Sequence, residues 1–521
     1  MHDAVLIGSG HNNLVAGVLL ARAGWKVVVF EQADEVGGAV RTAELGPPGF
    51  RYDAFSSNHT LIFLSPFYHQ TRDDLEQHGL YYLPYPIPIA SVFPDGKSVR
   101  LYPDLERTLD SLGEQSANDA RGWKKLYEMY QAGRELFTTL FSSAMPSFAA
   151  MQALIGRRLR LGPRGNMEFM QMLTLPARAF ADEYFETDYA KSWFVQWALH
   201  LPHSPESAGG GAFAWVVMAA TQDPQVGLRV PRGGSGGLTQ ALASLLRSLG
   251  GEIHTGSRVT RVIVRRKTAW GVVLDDGTEV PSARAVIACT SPTKLFLDLV
   301  GADNLPAEFV GRLQRYRYGL PVLKIDYALS GPPTWKAGEE IARAGIVHLS
   351  SGVDAMSLAY NQALRGYLPR EPLIILSQPT VADPARAPEG KHILWVIVRV
   401  PHVVKGDAAH RIKPRPWRHL KERFADRVTD IIESFTPGLK QLILARHVFS
   451  PEDLERANPN LIRGDIGCGS VEFDQSYVFR PLPGWSRYAT PIRRLYLTGA
   501  ATHPGPGIHG MSGYALARTL L

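Results

Sequence analysis

Asp3-Ala4-Val5-Leu6-Ile7-Gly8-Ser9-Gly10-His11-Asn12-Asn13 carries an apolar run through a glycine turn into the helical stretch Leu14 to Ala23. Gly24 stops that stretch, and a second apolar run, Lys26 to Phe30, ends on Glu31. Strand, helix and strand within about thirty residues make a βαβ unit. Gly8 permits the tight turn, and Gly10 lets a pyrophosphate approach the backbone. The helix start then offers free N–H groups and its positive dipole end to the phosphates. Ser9, Asn12 and Asn13 belong to the same turn and are expected at the cofactor. Glu31, 23 positions after Gly8, can accept hydrogen bonds from both hydroxyls of an adenosine ribose and repels a 2′-phosphate, which disfavours NADP. Asn13 stands where a third glycine is usual. A larger residue there either loosens helix–strand packing or lends an amide to the phosphates.

The 521 residues amount to two to four domains at about 150 residues each. Apolar residues make up 45% and charged residues 20%, which excludes disorder as the main state. No run of eighteen apolar residues occurs, so no membrane-spanning helix is expected. The chain starts directly on a strand, so no secretory signal is expected either. Cys289 and Cys468 lie far apart in sequence, which argues against a disulfide framework, a CxxC redox pair and a cysteine zinc site. Metal-ligand spacings are absent as well. Net charge is 56 − 49 = +7, densest at Arg157, Arg158, Arg160 and Arg164 and from Arg411 to Arg423. No nucleic-acid-binding signature accompanies it, so nucleic acid is not expected as a partner.

The residues after Glu31 separate FAD from NAD. Gly37-Gly38-Ala39-Val40-Arg41-Thr42 places a glycine pair and then a basic residue behind the acid, the extended FAD signature of two-dinucleotide-binding-domain flavoproteins. Gly37 and Gly38 let the chain wrap the cofactor, and Arg41 can reach the pyrophosphate or the flavin end. Val230-Pro231-Arg232-Gly233-Gly234-Ser235-Gly236-Gly237-Leu238 precedes a further helix, and Trp270 to Val280 reads as a hairpin turning at Asp276-Gly277. In this class the residue at Val259 contacts the adenine through its backbone. Leu495 to Ala500 with His503 to Gly510 repeats strand, glycine turn and helix start. Gly499, Ala500, Gly507, Ile508 and His509 would then face the flavin N1/O2 edge, which becomes anionic on reduction.

These motifs resemble the phytoene (carotenoid) desaturase family of FAD-dependent oxidoreductases. Within it the chain looks most like the branch called pyridine nucleotide-disulfide oxidoreductase domain-containing protein 2. Asp383-Pro384, Gly464-Asp465, Arg480-Pro481 and the LYLTGAATHPG segment share in the resemblance. It implies an α/β fold, glutathione reductase-2/amine oxidase-like, with a Rossmann-like FAD-binding domain and an interleaved α+β substrate domain. Residues 1–65, 228–300 and 480–521 are expected in the first, and 66–227 with 301–479 in the second. Asn13 and Ala500 depart from the commonest flavoprotein pattern. Disulfide reduction is not expected, because no CxxC pair and no second nucleotide-binding unit occur.

Helical spacing runs through the middle, at Leu126 to Leu140, Phe180 to Phe185 and Trp193 to Leu199. Val322 to Leu329 partly alternates and reads as a strand, while Leu420, Phe424, Val428, Ile431, Ile432 and Phe435 form a helix stripe. Phe137, Phe141, Met145, Phe148, Met151, Met167, Phe169, Met170 and Met172 suit a helix core, or an apolar entrance facing a lipid-like substrate or membrane surface.

The expected reaction is dehydrogenation (desaturation) of a C–C bond in an apolar or alicyclic substrate by hydride transfer to flavin N5, with oxygen or a quinone as acceptor. His59 and His509 are the candidate bases. The alternatives are an amine oxidase, a flavin-dependent isomerase or hydratase, and a cofactor-free escort protein. A cytoplasmic setting with peripheral membrane contact is expected.

Overall fold

The computed structural model describes residues 1–156 and 162–521, so Arg157, Arg158 and Arg160 of the basic cluster lie outside the described residues. Five parallel strands form one sheet, in the order Leu495–Leu497, Glu279–Ala288, His2–Ile7, Val27–Phe30, Glu252–His254. The strand Val27–Phe30 is buried along its whole length, as expected of a sheet covered on both faces. Glu279–Ala288 begins in an antiparallel meander with Val259–Arg265 and Thr268–Leu274 before joining the parallel sheet. The expected turn at Asp276-Gly277 is there, closed by Gly277 N–H on Leu274 O.

The first helix spans His11–Arg22 and starts three residues before the apolar run that betrays it. Leu14 N–H donates to Gly10 O at 3.1 Å, so helical bonding begins in the glycine turn itself. The terminal helix Met511–Leu520 and the helix Gly236–Ser248 pack against it. A Cβ on Gly513 would lie 1.8 Å from Asn12 O, so the two ends of the chain meet backbone to backbone. The helix Pro66–Gln77, expected with the substrate segments, also packs on Gly236–Ser248 and Met511–Leu520.

The second sheet runs Ile443–Phe449, Val322–Leu329, His392–Arg399, Ile374–Ser377, Ala344–Leu349, Ile87–Val92, Ser98–Leu101. Period-two alternation sorts its residues. Leu323, Ile325 and Tyr327 pack under the helix Trp417–Phe435 with Leu420, Phe424, Val428 and Ile432. The alternate positions Val322 and Lys324 face a cavity on the other side. Helices Ala117–Ser142, Ala177–Tyr184, Asp188–Val195 and Gly210–Gln222 close that side around the buried Trp123, Trp193 and Trp215. The Met- and Phe-rich segment divides: Phe137, Phe169 and Met172 are buried, whereas Phe148, Met151, Met167 and Met170 are exposed. Among the described residues no helix is long and apolar enough to cross a membrane.

Candidate active site

A cavity of about 370 Å³ opens at the carboxyl ends of the parallel strands, the position at which open α/β sheets bind ligands. Gly8, Gly10, Asn12, Glu31, Gly38, Arg41, Val259, Gly499 and Ala500 all line it. Ser9 and Gly37 stand behind the wall. Ser9 donates through its N–H and its hydroxyl to Glu31 Oε2, at 2.9 and 2.8 Å, and accepts from Gly37 N–H at 3.1 Å. The serine thus aims the carboxylate, which also accepts from Ala33 N–H at 2.9 Å. Gly37 has φ of +125°, and a Cβ there would sit 2.5 Å from Val40 O, so glycine is required by the turn.

Asn13 decides between its two expected roles in a third way. Its amide donates to Ile7 O and Gly8 O, both at 2.9 Å, and Thr498 Oγ1 donates to its Oδ1 at 2.7 Å. It therefore ties the first strand to the last one and has no donor left for a phosphate. Cys289 fills the space between the glycines, its Sγ 3.1 Å from a Cβ built on Gly10 and 3.0 Å from one on Gly499. Cys468 lines the same cavity, so two residues remote in sequence meet here. Burial pushes the Cys289 thiol up to about 11 and the Cys468 thiol to about 12, which leaves both protonated and poor nucleophiles.

Arg41 Nε and Asn12 Oδ1 are buried on the cavity wall without a hydrogen-bond partner. A buried polar atom left so is costly, and a phosphate-bearing ligand supplies an acceptor for the guanidinium. Side-chain-free glycines, an aimed carboxylate and an unpaired arginine nitrogen fit an adenine dinucleotide. The glycine run 233–237 does something else: Gly233 N–H donates to Asp383 Oδ2 at 2.6 Å, Ser235 N–H to Asp53 Oδ1 at 2.7 Å, and Gly236 N–H to Thr42 Oγ1 at 3.0 Å. Protein groups already occupy that helix start.

A second cavity, about 300 Å³, shares His11, Ala39, Leu461, Ile466 and Ala500 with the first and is walled by Pro506, Gly507 and Ile508. Phe55, Trp197, Phe213, Val217, Ile346, Ile375, Trp395 and Ile397 make it largely apolar, and among the described residues no Asp or Glu lines it. Arg480 fixes the junction. Its buried guanidinium donates to Ala500 O, Ser470 O and Gly467 O at 2.7–2.8 Å. The Asp465 carboxylate gathers Gly319, Gly467 and Gly469 N–H groups.

Both expected bases require correction. His509 lines neither cavity: its Nδ1 accepts from Met511 N–H at 3.0 Å, and its Nε2 meets Gly505 O at 3.2 Å. It caps the terminal helix. His59 is buried between Tyr82 Oη (2.9 Å) and Ser235 Oγ (3.3 Å), and also lines neither. Burial holds His509 down at about 3 and His59 at about 4. Among the described residues the titratable groups that reach the second cavity are His11, His200 and Lys324, none of which stands out in sequence. Lys324 is ion-paired to Asp326, with both side chains almost fully buried. Burial lowers the ammonium's pKa despite its partner and raises the carboxyl to about 6. Alternating positions 324 and 326 on an apolar strand were the available signal.

Residues 14–521 match the model of the flavin-containing amine oxidoreductase family. The chain belongs to that family. It is 31% identical to the rat pyridine nucleotide-disulfide oxidoreductase domain-containing protein 2, over 98% of this chain and 92% of the relative. It is 25% identical to a lycopene-forming phytoene desaturase of Pseudescherichia vulneris, over 100% of this chain and 99% of that one. An oxidoreductase from Methanosarcina mazei shares the fold, with a TM-score of 0.61 at 16% identity, covering 99% of each chain. This family member is an FAD-dependent oxidoreductase, and the first cavity suits FAD.

Proposed function

We propose that the chain dehydrogenates a C–C bond of a compact, uncharged, apolar substrate held in the second cavity. FAD, when bound, supplies the hydride acceptor at its isoalloxazine ring. The observation that carries the reading is that the two cavities share Ala500 and His11 in their linings, with an apolar substrate side free of carboxylates among the described residues. Aromatic and aliphatic walls exclude water and press a C–H bond into place, and a cavity of this size falls at the small end of the roughly 300–1,000 Å³ of ligand sites.

Desaturation releases a proton as well as a hydride. Lys324, which lines the cavity and is lowered by burial, takes that proton from the fraction of the pair in which it is a neutral amine beside the Asp326 carboxylate, and that carboxylate stabilises the ammonium that results. Arg480 and Asp465 hold the loop 467–470 and the Ala500 carbonyl rigid at the junction. The amine-oxidase reading has less support, since among the described residues no carboxylate lines the cavity to receive an ammonium group. Oxygen or a quinone is the electron acceptor in this reading.

The test is anaerobic mixing of the yellow protein with alicyclic hydrocarbons, polyenes, amines and NAD(P)H. Bleaching of the flavin by a hydrocarbon, with an alkene product, is expected. Bleaching by amines alone, or a colourless folded protein, would overturn the reading.

A further inference from the structure

The second cavity holds one polar feature that neither the cofactor nor the proposed chemistry uses. His200 Nε2 lies 2.6 Å from His348 Nε2, with the His200 ring stacked on Trp197 at a centroid distance of 4.2 Å and 6° between planes. His348 is fully buried, while His200 is only partly buried and lines the cavity. Arg399 fixes the backbone beneath the pair, donating to the carbonyls of Leu199, His200 and Leu320.

Two imidazoles sharing one hydrogen bond have only two proton arrangements. Burial keeps both rings neutral, with His348 pushed down to about 3 and the Arg399 charge acting in the same sense on His200. His348 Nδ1 is buried with no partner. A bare lone pair is the less costly group to orphan there, which places the shared proton on His348 Nε2. His200 then carries its own proton on Nδ1, its remaining hydrogen-bonding atom. A hydrocarbon filling the cavity would leave this N–H unpaired at a cost, whereas an oxygen would satisfy it.

We infer that the His200–His348 pair is a specificity subsite for one neutral oxygen, carbonyl or hydroxyl, on an otherwise apolar alicyclic substrate. This rests on reading the second cavity as the substrate site. It excludes long pure polyenes as the preferred ligand and makes the pair a positioning element that takes no part in the proton transfer to Lys324.

The holoenzyme is titrated with menthone and with p-menthane, which share a carbon skeleton and differ by one carbonyl oxygen. Trp197 and Trp395 line the cavity, so quenching of tryptophan fluorescence reads occupancy without any reduction of flavin. Menthone is expected to bind about tenfold or more tightly than p-menthane, within the usual cost of leaving one buried donor unpaired. His200→Phe, which keeps the stacking on Trp197, should bring the ratio close to one, while His200→Gln should retain most of it. His348→Leu, which leaves His200 in place but removes the donor that sets its tautomer, should lower the ratio by a smaller factor. A wild-type ratio near one, no binding of menthone, or a ratio unchanged in both His200→Phe and His348→Leu would overturn the inference. Failure of every compound to bleach the flavin would count against the proposed reaction and leave this ratio intact.

Discussion

Asp53 and Arg386 form an ion pair at 2.9 Å in which neither side chain has accessible surface. Asp53 also accepts from Thr42 Oγ1, Ser57 Oγ and Ser235 N–H. One carboxylate therefore joins the segment behind the glycine pair, the 233–237 turn and the loop after Gln378. Removing one partner of such a pair strands a buried charge, which costs about 3–5 kcal/mol. Arg386→Met should lose stability on that scale in chemical denaturation. Arg386→Met with Asp53→Asn, which removes the stranded charge and keeps an acceptor oxygen for the other donors, should lose less than Arg386→Met alone. A double variant worse than the single would contradict the pairing.

Gly234 lies beside that carboxylate. It has φ of +115°, and a Cβ would fall 2.3 Å from Thr42 Oγ1 and 2.9 Å from Asp53 Oδ1. Gly234→Ala is expected to destabilise by about 2 kcal/mol or more through strain and crowding. Gly233→Ala, also at positive φ but with open space around the Cβ site, should cost less. Equal melting temperatures for the two would show that space at 234 is not limiting.

Glu31 should govern cofactor retention without governing the fold. Its carboxylate is aimed by Ser9 into the first cavity. Glu31→Ala is expected to weaken FAD binding at least tenfold, since hydrogen bonds to a charged group are worth about 1.5–3 kcal/mol. Far-ultraviolet circular dichroism should stay unchanged. The ratio of flavin to protein absorbance after gel filtration measures the effect, and full retention would remove the role.

Lys324 and His509 should separate cleanly. Lys324→Met with Asp326→Leu, which avoids a stranded charge, should keep bound flavin and slow its anaerobic reduction by about 10²-fold or more, the usual range for general acid–base groups. His509→Ala should instead loosen the terminal helix, lowering melting temperature and flavin content while the reduction rate per bound flavin stays near wild type. The reverse pattern would restore His509 as the base.

Acid should destabilise the protein early. Burial places His11, His59, His203 and His503 near 4, and His348 and His509 near 3. Between pH 6.5 and about 4 the unfolded chain takes up protons at these rings and the folded protein does not, so stability falls as pH drops. Asp326, raised to about 6, acts oppositely, favouring the fold as pH drops from about 6 towards 3.8, and the raised Asp465 and Glu472 act in the same sense. The lowered histidines, with His200, His392, His402 and His447 among them, outnumber these carboxyls. Denaturation midpoints should decline from pH 6.5 to 4.5, and a flat profile would refute the neutral burial of these histidines.

Much of the fold was legible because local rules govern it. Gly8, Gly10 and Glu31 announce themselves through a strand–turn–helix–strand unit whose chemistry lies within about thirty residues. The glycine pair and the terminal glycine turn are short-range signals of the same kind. The helix stripe ending at Phe435 and the hairpin at Asp276-Gly277 came from periodicity and turn chemistry. Asn13 was readable as a departure but not as a tie between distant strands, because its partners Ile7 O and Thr498 Oγ1 belong to opposite ends of the chain.

The substrate side was less legible. Its working groups arrive singly from separate elements: His11 from the first helix, His200 from the end of a helical turn, Lys324 from a strand, and His348 from another strand. No spacing links them, and a lone histidine in sequence looks the same whether it caps a helix, as His509 does, or faces a cavity, as His200 does. The amino-acid order alone determined the dinucleotide cleft and the family, because a phosphate-binding turn is built from consecutive backbone groups. The tertiary structure alone decided which side chains meet the substrate, because that depends on long-range packing between two sheets whose strands are hundreds of residues apart.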